Sequence, residues 1–386
     1  MMDSVWNKPW YKKSWLKTGV TCSLLILMLT GCLPDRTDTT DELDLDLPPI
    51  DHAPTVYVQE DYYSALLPFV TSQARGTLDT YLGRYRLDAE RLELGLLELA
   101  QDVFPTESHL YREGQFITKE EIQSWLRIQS DDYPLGLNPE DKDERVLLHI
   151  LEHNYWDTRA NALQGIVIGL SLAPRYTSVE EVGGNTETRQ LYYSDDELRN
   201  YGQAMANKIA ERLRGKLRNT EYSDIPIVFA LYRLEEQDNL VPGNFLSTGI
   251  SRQAQYEVSE WRTINEIYFL FPSGPLNRFE NERSLTNATQ FDEFRNQVQE
   301  YFPNYIGIVG FGRYLDENLV ELTITANTEF AAKTEVIQLT QFLGGQAMEL
   351  FPENVHLNIY VQSINEPQSI FIRPTEGEPI MHIYRK

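Results

Sequence analysis

The stretch QFDEFRNQVQEYFPNYIGIVGFGRY (290–314) sets the expected fold, because it holds a helix, the end of that helix and the strand that follows. Phe291 and Phe294 belong to an apolar stripe with helical spacing. Pro303 predicts the end of the helix, since proline disfavours helical backbone at the residue before it. The run 305–314 then predicts a β-strand.

The same order of elements occurs earlier, in DAERLELGLLELAQDVFPTESHLYREGQFI (88–117). A helix over 88–104 ends at another Phe-Pro pair, and a strand over 110–117 follows. Apolar runs precede both copies, and more elements match after them. The matched pairs are the runs 66–69 and 268–272, the strands 165–172 and 319–326, the helices 195–217 and 333–351, and the strands 225–231 and 355–361.

These matches predict an α+β fold made of two tandem β-α-β-β-α-β repeats packed together. That element order is typical of the ferredoxin-like, split βαβ arrangement. The stretch 244–264 is expected to form an extra hairpin that joins the repeats. The predicted segments are a leader over 1–31, an acidic tether over 32–55, a first repeat over 56–250 with insertions near 118–160 and 175–194, and a second repeat over 251–386.

The leader has the pattern of a secretion signal, with four lysines against one aspartate and then an apolar run over 19–29. That run is about 11 residues, and a membrane-spanning helix needs about 20. Leu29-Thr30-Gly31-Cys32 fits a lipobox, in which the Cys32 sulfur is acylated and the chain is cut after Gly31. Two or more acyl chains suffice for stable anchoring. We therefore expect a bacterial lipoprotein, with lipoprotein-processing enzymes as partners and its body held by the lipid on the outer face of the cytoplasmic membrane.

Composition excludes several classes of function. The chain has 58 acidic and 34 basic residues, a net charge of −24, which disfavours nucleic acid as a partner. Its two cysteines are Cys22, inside the leader, and Cys32, so the body has no thiol for a disulfide or a cysteine zinc site. Phosphate-loop and G-x-S-x-G motifs are absent from the sequence, and we expect neither a cofactor nor enzymatic activity.

One short motif could carry chemistry. His149, Glu152 and His153 fit H-x-x-E-H, in which two histidines one helical turn apart bind zinc and the glutamate acts as general base. A helix is expected over 143–155. The histidines lie largely off its apolar stripe and the sequence offers no third ligand, so a solvated or part-buried helix face is the favoured interpretation. A zinc hydrolase is kept as a remote alternative.

Two polar clusters are candidates for a binding surface that would hold an unidentified envelope partner. The first cluster follows the apolar run 66–69, and the second precedes the apolar run 268–272. The alternative for both is ordinary turn chemistry and aromatic core filling. The candidate residues are Ser72, Gln73 and Arg75 in the first cluster, and Trp261, Asn265 and Glu266 in the second.

Nearly the whole body resembles one known family. The sequence is similar to the CamS family, the sex pheromone precursor lipoproteins of Gram-positive bacteria. The segments that carry the resemblance are LLPFVTSQARG (66–76), LGLLELAQDVF (94–104), GIVIGLSLAPRY (165–176), IPIVFALYR (225–233), VPGNFLSTG (241–249), WRTINEIYFLFPS (261–273), EYFPNYIGIVGFGRY (300–314), FPENVHLNIYVQSI (351–364) and EPIMHIY (378–384).

The resemblance implies a non-enzymatic lipoprotein whose signal segment is released as a peptide that induces conjugation. Signal peptidase II would cut before Cys32, and an intramembrane protease would free the peptide. The family peptide ends in Ala or Ser, whereas this one ends in Thr-Gly. The alternative is an envelope lipoprotein that binds a ligand or partner and has no pheromone role. The candidate peptide is Leu25, Ile26, Leu27, Met28, Leu29, Thr30 and Gly31.

Overall fold

The computed structural model describes residues 62–385, except 79, 141–144, 160–161, 183–184, 254, 273–281, 303–305, 330–331 and 365. The predicted leader and tether, with Cys32 and the candidate peptide, lie outside the described residues. The helices are α1 (Ala89–Ala100), α2 (Lys119–Trp125), α3 (Asp195–Leu217), α4 (Glu282–Tyr301) and α5 (Lys333–Leu350).

Two large β-sheets contain most of the strands. Two further pairs of strands form small separate sheets. The strands are β1 (Ser64–Ala65), β2 (Tyr85–Arg86), β3 (His109–Glu113), β4 (Leu147–Asp157), β5 (Leu163–Leu172), β6 (Arg175–Val182), β7 (Asn185–Tyr192), β8 (Ile227–Arg233), β9 (Glu235–Glu236), β10 (Asn244–Ser251), β11 (Ser259–Thr263), β12 (Glu266–Phe271), β13 (Ile306–Leu315), β14 (Asn318–Thr328), β15 (His356–Ser363), β16 (Glu366–Arg373) and β17 (Ile380–Ile383).

Both large sheets share one topology. The first has the order β1-β3-β4-β5-β8-β10-β11 and the second β12-β13-β14-β15-β16-β17. In the first, β5 and β8 are parallel and α3 connects them; in the second, β14 and β15 are parallel and α5 connects them. From β3 and from β12 onward the other neighbouring strands are antiparallel.

The α+β class is as expected, but the ferredoxin-like strand order is wrong. In a split βαβ unit the two strands around a helix are parallel and separated by another strand. Here β12 and β13 flank α4 in sequence and are direct antiparallel neighbours. Apolar periodicity does not fix which strands pair.

The predicted insertion over 118–160 contains a central strand. The helix expected over 143–155 is wrong, because Leu147–Asp157 forms β4, paired with β3 on one side and β5 on the other. The region 175–194 is the hairpin β6–β7, which forms its own two-stranded sheet. The expected extra hairpin over 244–264 is β10 and β11, the last two strands of the first sheet, so the expected boundary at 250/251 divides that sheet.

The helices agree better with the sequence. Ser194 and Glu197 form a capping box, and α3 has the expected bounds. Asp88 accepts the backbone N–H of Arg91 and begins α1. The helix α4 begins at Glu282, eight residues before the expected start at 290.

The first sheet is covered on both faces, which explains the continuous apolar runs of β5 and β8. Ile168 and Phe229 pack under α3, whereas Val167 and Ala230 pack under α1. In the second sheet burial alternates along β14, so one face packs against α4 and α5. The helix α1 therefore packs across strands of the first sheet, and the candidate site lies beside α1.

A candidate ligand-binding cavity beside strand β4

A cavity of about 270 Å³ lies where the N-terminal turns of α1 meet β4. The segment 72–78 lines its other side. Its walls bring together residues from both predicted groups, Ser72 and Arg75 from the first polar cluster and the H-x-x-E-H residues from β4. The remaining lining residues are Ala74, Gly76, Leu78, Leu87, Ala89, Leu92, Glu93, Tyr111, Glu113, Ile122, Ile150 and Leu151.

The segment 72–78 is held by Glu113, the last residue of β3. The Glu113 carboxylate accepts the backbone N–H of Ser72 at 2.8 Å and pairs with the Arg75 guanidinium at 3.2 Å. Gly76 has φ +72°, a left-handed conformation that costs glycine little. Gln73 is exposed and does not line the cavity. One strand-end carboxylate thus positions the polar wall.

The two histidines of the motif line the cavity but cannot share a metal ion. In a strand, side chains four residues apart point the same way and are about 13 Å apart. His149 and His153 therefore lie on the same face of β4 with Leu151 between them, and Glu152 points to the opposite face of the sheet. Within the residues that the structure describes, no group of three His, Cys, Asp or Glu side chains could hold a metal ion.

Both imidazoles are neutral at pH 7. Burial lowers the pKa of His149 to about 4 and the pKa of His153 to about 3. His153 is only 1% exposed, and its ring packs edge-on against Tyr111 at 5.0 Å between centroids. His149 Nδ1 and His153 Nε2 are buried without a hydrogen-bond partner. Two ring nitrogens next to the cavity are therefore unused in hydrogen bonding, and neither is open to solvent.

Glu152 has a structural role that replaces the general-base role of the zinc hypothesis. Its carboxylate accepts backbone N–H groups from Gln115, Phe116 and Ile117 at 2.8–3.2 Å and the side-chain amide of Asn154 at 2.7 Å. Burial raises the pKa of Glu152, and these hydrogen bonds oppose that rise. The carboxylate thus fixes the chain after β3.

Acidic groups predominate at the mouth of the cavity. Burial raises the pKa of Glu93; the Arg75 guanidinium opposes this, and the Glu113 carboxylate adds to it. Burial also raises the pKa of the Tyr111 hydroxyl, and both carboxylates add to that rise. The Glu93 and Glu113 carboxylates and the Arg75 guanidinium therefore lie within electrostatic range of each other.

A second, more open groove of about 550 Å³ lies at the other end of α1. It includes Trp261 from the second predicted cluster. Two ion pairs lie along it, Arg262 to Asp102 at 2.6 Å and Arg252 to Glu260 at 2.8 Å. These charged groups are already paired.

The second predicted cluster is divided in the structure. Asn265 donates to Asp316 at 2.9 Å, whereas Glu266 is buried in an ion-pair network with Arg91 and Arg313, each at 2.7 Å. The cavity and the groove lie at opposite ends of α1, which rises about 18 Å over its 12 residues. The two clusters therefore do not form one surface.

Sequence reasoning missed Glu93, Tyr111 and Glu113, which complete the mouth of the cavity. Only Glu113 had a signal in the sequence: it precedes Gly114, and a glycine is typical of the point where a strand ends. Their convergence depends on how α1 packs across β5 and β8 of the first sheet, which no local pattern shows.

Comparisons with known proteins agree on one family. The model of the CamS sex pheromone cAM373 precursor matches residues 69–379. The crystal structure of a sex pheromone precursor from Lactobacillus salivarius subsp. salivarius UCC118 is 26% identical, with a TM-score of 0.73 over 88% of this chain and 99% of that one. The C-terminal domain of the staph-cAM373 precursor from Staphylococcus aureus is 26% identical, with a TM-score of 0.64 over 78% of this chain and 97% of that one.

Two searches gave negative results. A comparison with curated proteins found no match to the chain. Among the residues that the structure describes, no helix combines the length and apolar character needed to cross a bilayer.

Proposed function

This chain belongs to the CamS sex pheromone cAM373 precursor family, and we propose that it is a lipoprotein anchored through Cys32 whose signal segment is released as a peptide. The observation that carries the proposal is the family match over 69–379, together with the lipobox at 29–32. The relatives in solved structures are sex pheromone precursors. We therefore assign the folded body no catalytic step.

Anchoring is tested by the intact mass of the protein isolated from cells. We expect loss of residues 1–31 and an added diacylglyceryl mass on Cys32. Cys32→Ala should leave the leader uncut and the protein without acyl mass. Cys22→Ala is the matched control, because that thiol is inside the leader, and it should be processed like the parent. Unmodified Cys32 in the parent protein would refute the anchor.

Peptide release is tested separately, by mass spectrometry of culture supernatant for residues 25–31. A synthetic Leu-Ile-Leu-Met-Leu-Thr-Gly peptide should induce plasmid transfer in a conjugation assay, and a scrambled peptide of the same composition should not. An inert synthetic peptide would end the signalling proposal and leave the anchor intact.

A second function is favoured by the cavity beside β4, namely binding of a small envelope ligand by the folded body. The supporting observation is the cavity itself, whose lining residues include two histidines that each have one unpartnered ring nitrogen. Ala89→Trp should fill the mouth, because Ala89 is exposed on the first turn of α1 and lines the cavity. A set of small amphipathic compounds should raise the melting temperature of the parent and not of this variant. Equal responses in both proteins would count against the cavity.

A further inference from the structure

We propose that the cavity beside β4 binds the N-terminal residue of an aliphatic peptide, with its α-ammonium group at the carboxylates of the mouth and its side chain among the leucines of the wall. The inference rests on the second proposed function and names its ligand class. The candidate peptide over 25–31 begins with Leu25 and is one peptide of this class.

Size and lining favour a single aliphatic side chain. Drug-sized ligands occupy pockets of about 300–1,000 Å³, and this cavity measures about 270 Å³. Leu87, Leu92 and Leu151 contribute apolar surface from three separate segments of the chain. Burial of an aliphatic side chain of valine or leucine size is favourable, because it removes apolar surface from water. The volume therefore suits about one residue of a peptide.

The charges at the mouth favour a cation over an anion. Glu93 and Glu113 outnumber Arg75, and both imidazoles of the wall are neutral, so the mouth carries one net negative charge. Glu90, one turn before Glu93, adds to the negative potential. The Arg75 side chain is 63% exposed and that of Glu113 is 14% exposed, so the guanidinium is the mobile, solvent-facing partner of this ion pair. An incoming ammonium can therefore join or replace Arg75 at the Glu113 carboxylate.

The unused ring nitrogens favour a peptide over a simple amine. A buried polar atom left without a hydrogen bond is costly, because it has lost its hydrogen bonds to water and gained none. Each neutral imidazole nitrogen donates or accepts, depending on the tautomer. The amide after the ammonium group supplies both an N–H and a carbonyl oxygen, so it can satisfy either tautomer of an imidazole that turns its unpartnered nitrogen, closed to solvent in this structure, toward the cavity.

The test compares matched ligands by calorimetric titration of the full chain in detergent. Leucinamide has the α-ammonium group, 4-methylpentanamide has the same skeleton without it, and N-acetyl-leucinamide has it blocked. We expect leucinamide to bind at least tenfold more tightly than the other two, consistent with a charge-assisted hydrogen bond. The 25–31 peptide with a free N-terminus should likewise bind more tightly than its acetylated form.

Variants locate the preference. Glu93→Gln removes an exposed carboxylate at the mouth and should reduce the preference for leucinamide by about tenfold. Glu349→Gln is the matched control, since it makes the same change at an exposed glutamate of α5 and should leave the preference unchanged. Melting temperatures of both variants establish that the fold is retained.

Three outcomes would overturn the inference. Equal affinity for the three amides would exclude recognition of the ammonium group. If in that case Ala89→Trp abolished binding of all three amides, the cavity would still be the binding site and the second proposed function would stand. No binding by any of the probes would refute the ligand class. A Glu93→Gln variant with the parental preference would show that the carboxylate at the mouth has no part in recognition.

Discussion

Buried polar side chains divide into those with partners and those without. The Arg214 guanidinium donates to the backbone carbonyls of Ser223, Ile225 and Ser251. The Glu152 carboxylate likewise accepts several hydrogen bonds, as described above. The ring nitrogens of His149 and His153 described above have no partner. Because burial keeps both imidazoles neutral, their cost to the fold depends on pH.

Replacing His153 with phenylalanine should flatten the dependence of stability on pH. The folded-state pKa of His153 is about 3, below the unfolded value of about 6.5. As the pH falls below about 6.5, the unfolded chain takes up a proton that the folded chain excludes, so the free energy of unfolding decreases, by at most about 1.4 kcal/mol per pH unit. In the His153→Phe variant, the part of this decrease that comes from His153 should be absent.

The measurement is urea unfolding at about pH 7 and about pH 5, on either side of the unfolded pKa. His382→Phe, which removes an exposed histidine, is the control for loss of a histidine. A decrease in His153→Phe as steep as in the parent would show that His153 does not carry this proton linkage.

At the scale of elements, close packing decides what a helix tolerates. Gly95 lies in the middle of α1, and a Cβ there would lie 2.1 Å from the Phe245 ring of β10. Gly215 lies in the last turns of α3, and a Cβ there would meet nothing within 4 Å. Helix propensity alone gives both glycines the same preference for alanine. Only the contact with the sheet distinguishes them.

The two glycines should therefore respond in opposite directions to alanine. Gly95→Ala is expected to lower the free energy of unfolding by about 1–3 kcal/mol, because the ring and helix must move apart. Gly215→Ala is expected to raise it by about 0.5–1 kcal/mol. Urea unfolding of both variants measures the difference. A stabilised Gly95→Ala variant would mean that α1 does not pack against Phe245 in this way.

At the scale of the molecule, one ion-pair network joins the two sheets. Glu266 opens β12 and its side chain is 1% exposed; it pairs with Arg91 of α1 and Arg313 of β13, and Arg313 also reaches Glu98 of α1 at 2.7 Å. Burial by itself raises the pKa of Glu266, but the two guanidiniums outweigh burial and hold that pKa below its usual value. The carboxylate is therefore ionised and holds both arginines.

Glu266→Gln should destabilise the molecule substantially. Removal of one partner from a buried ion pair leaves uncompensated charge and costs on the order of 3–5 kcal/mol. Urea unfolding measures the loss, and limited proteolysis should show earlier cleavage between the sheets. Glu260→Gln is the control, since its pair with Arg252 is exposed and should contribute nothing measurable. A Glu266→Gln variant as stable as that control would exclude the network as a clamp.

The site shows where sequence reasoning succeeded and where it ended. Ser72, Arg75, His149 and His153 were candidates from sequence, but in two unrelated hypotheses. The structure brings them to one cavity because β4 is a strand. Residues 146–155 have apolar spacing compatible with a helix, and pairing with strands on both sides outweighs that local preference.

The sequence by itself determined the features that depend on neighbouring residues, namely the helices that begin after Asp88 and Ser194 and the apolar runs of the central strands. Only the tertiary structure decided the strand order, the strand β4 and the convergence of Glu93 and Glu113. The reason is physical. Caps and periodicity are set within a few residues, whereas strand pairing and the packing of α1 on the first sheet depend on contacts between distant parts of the chain.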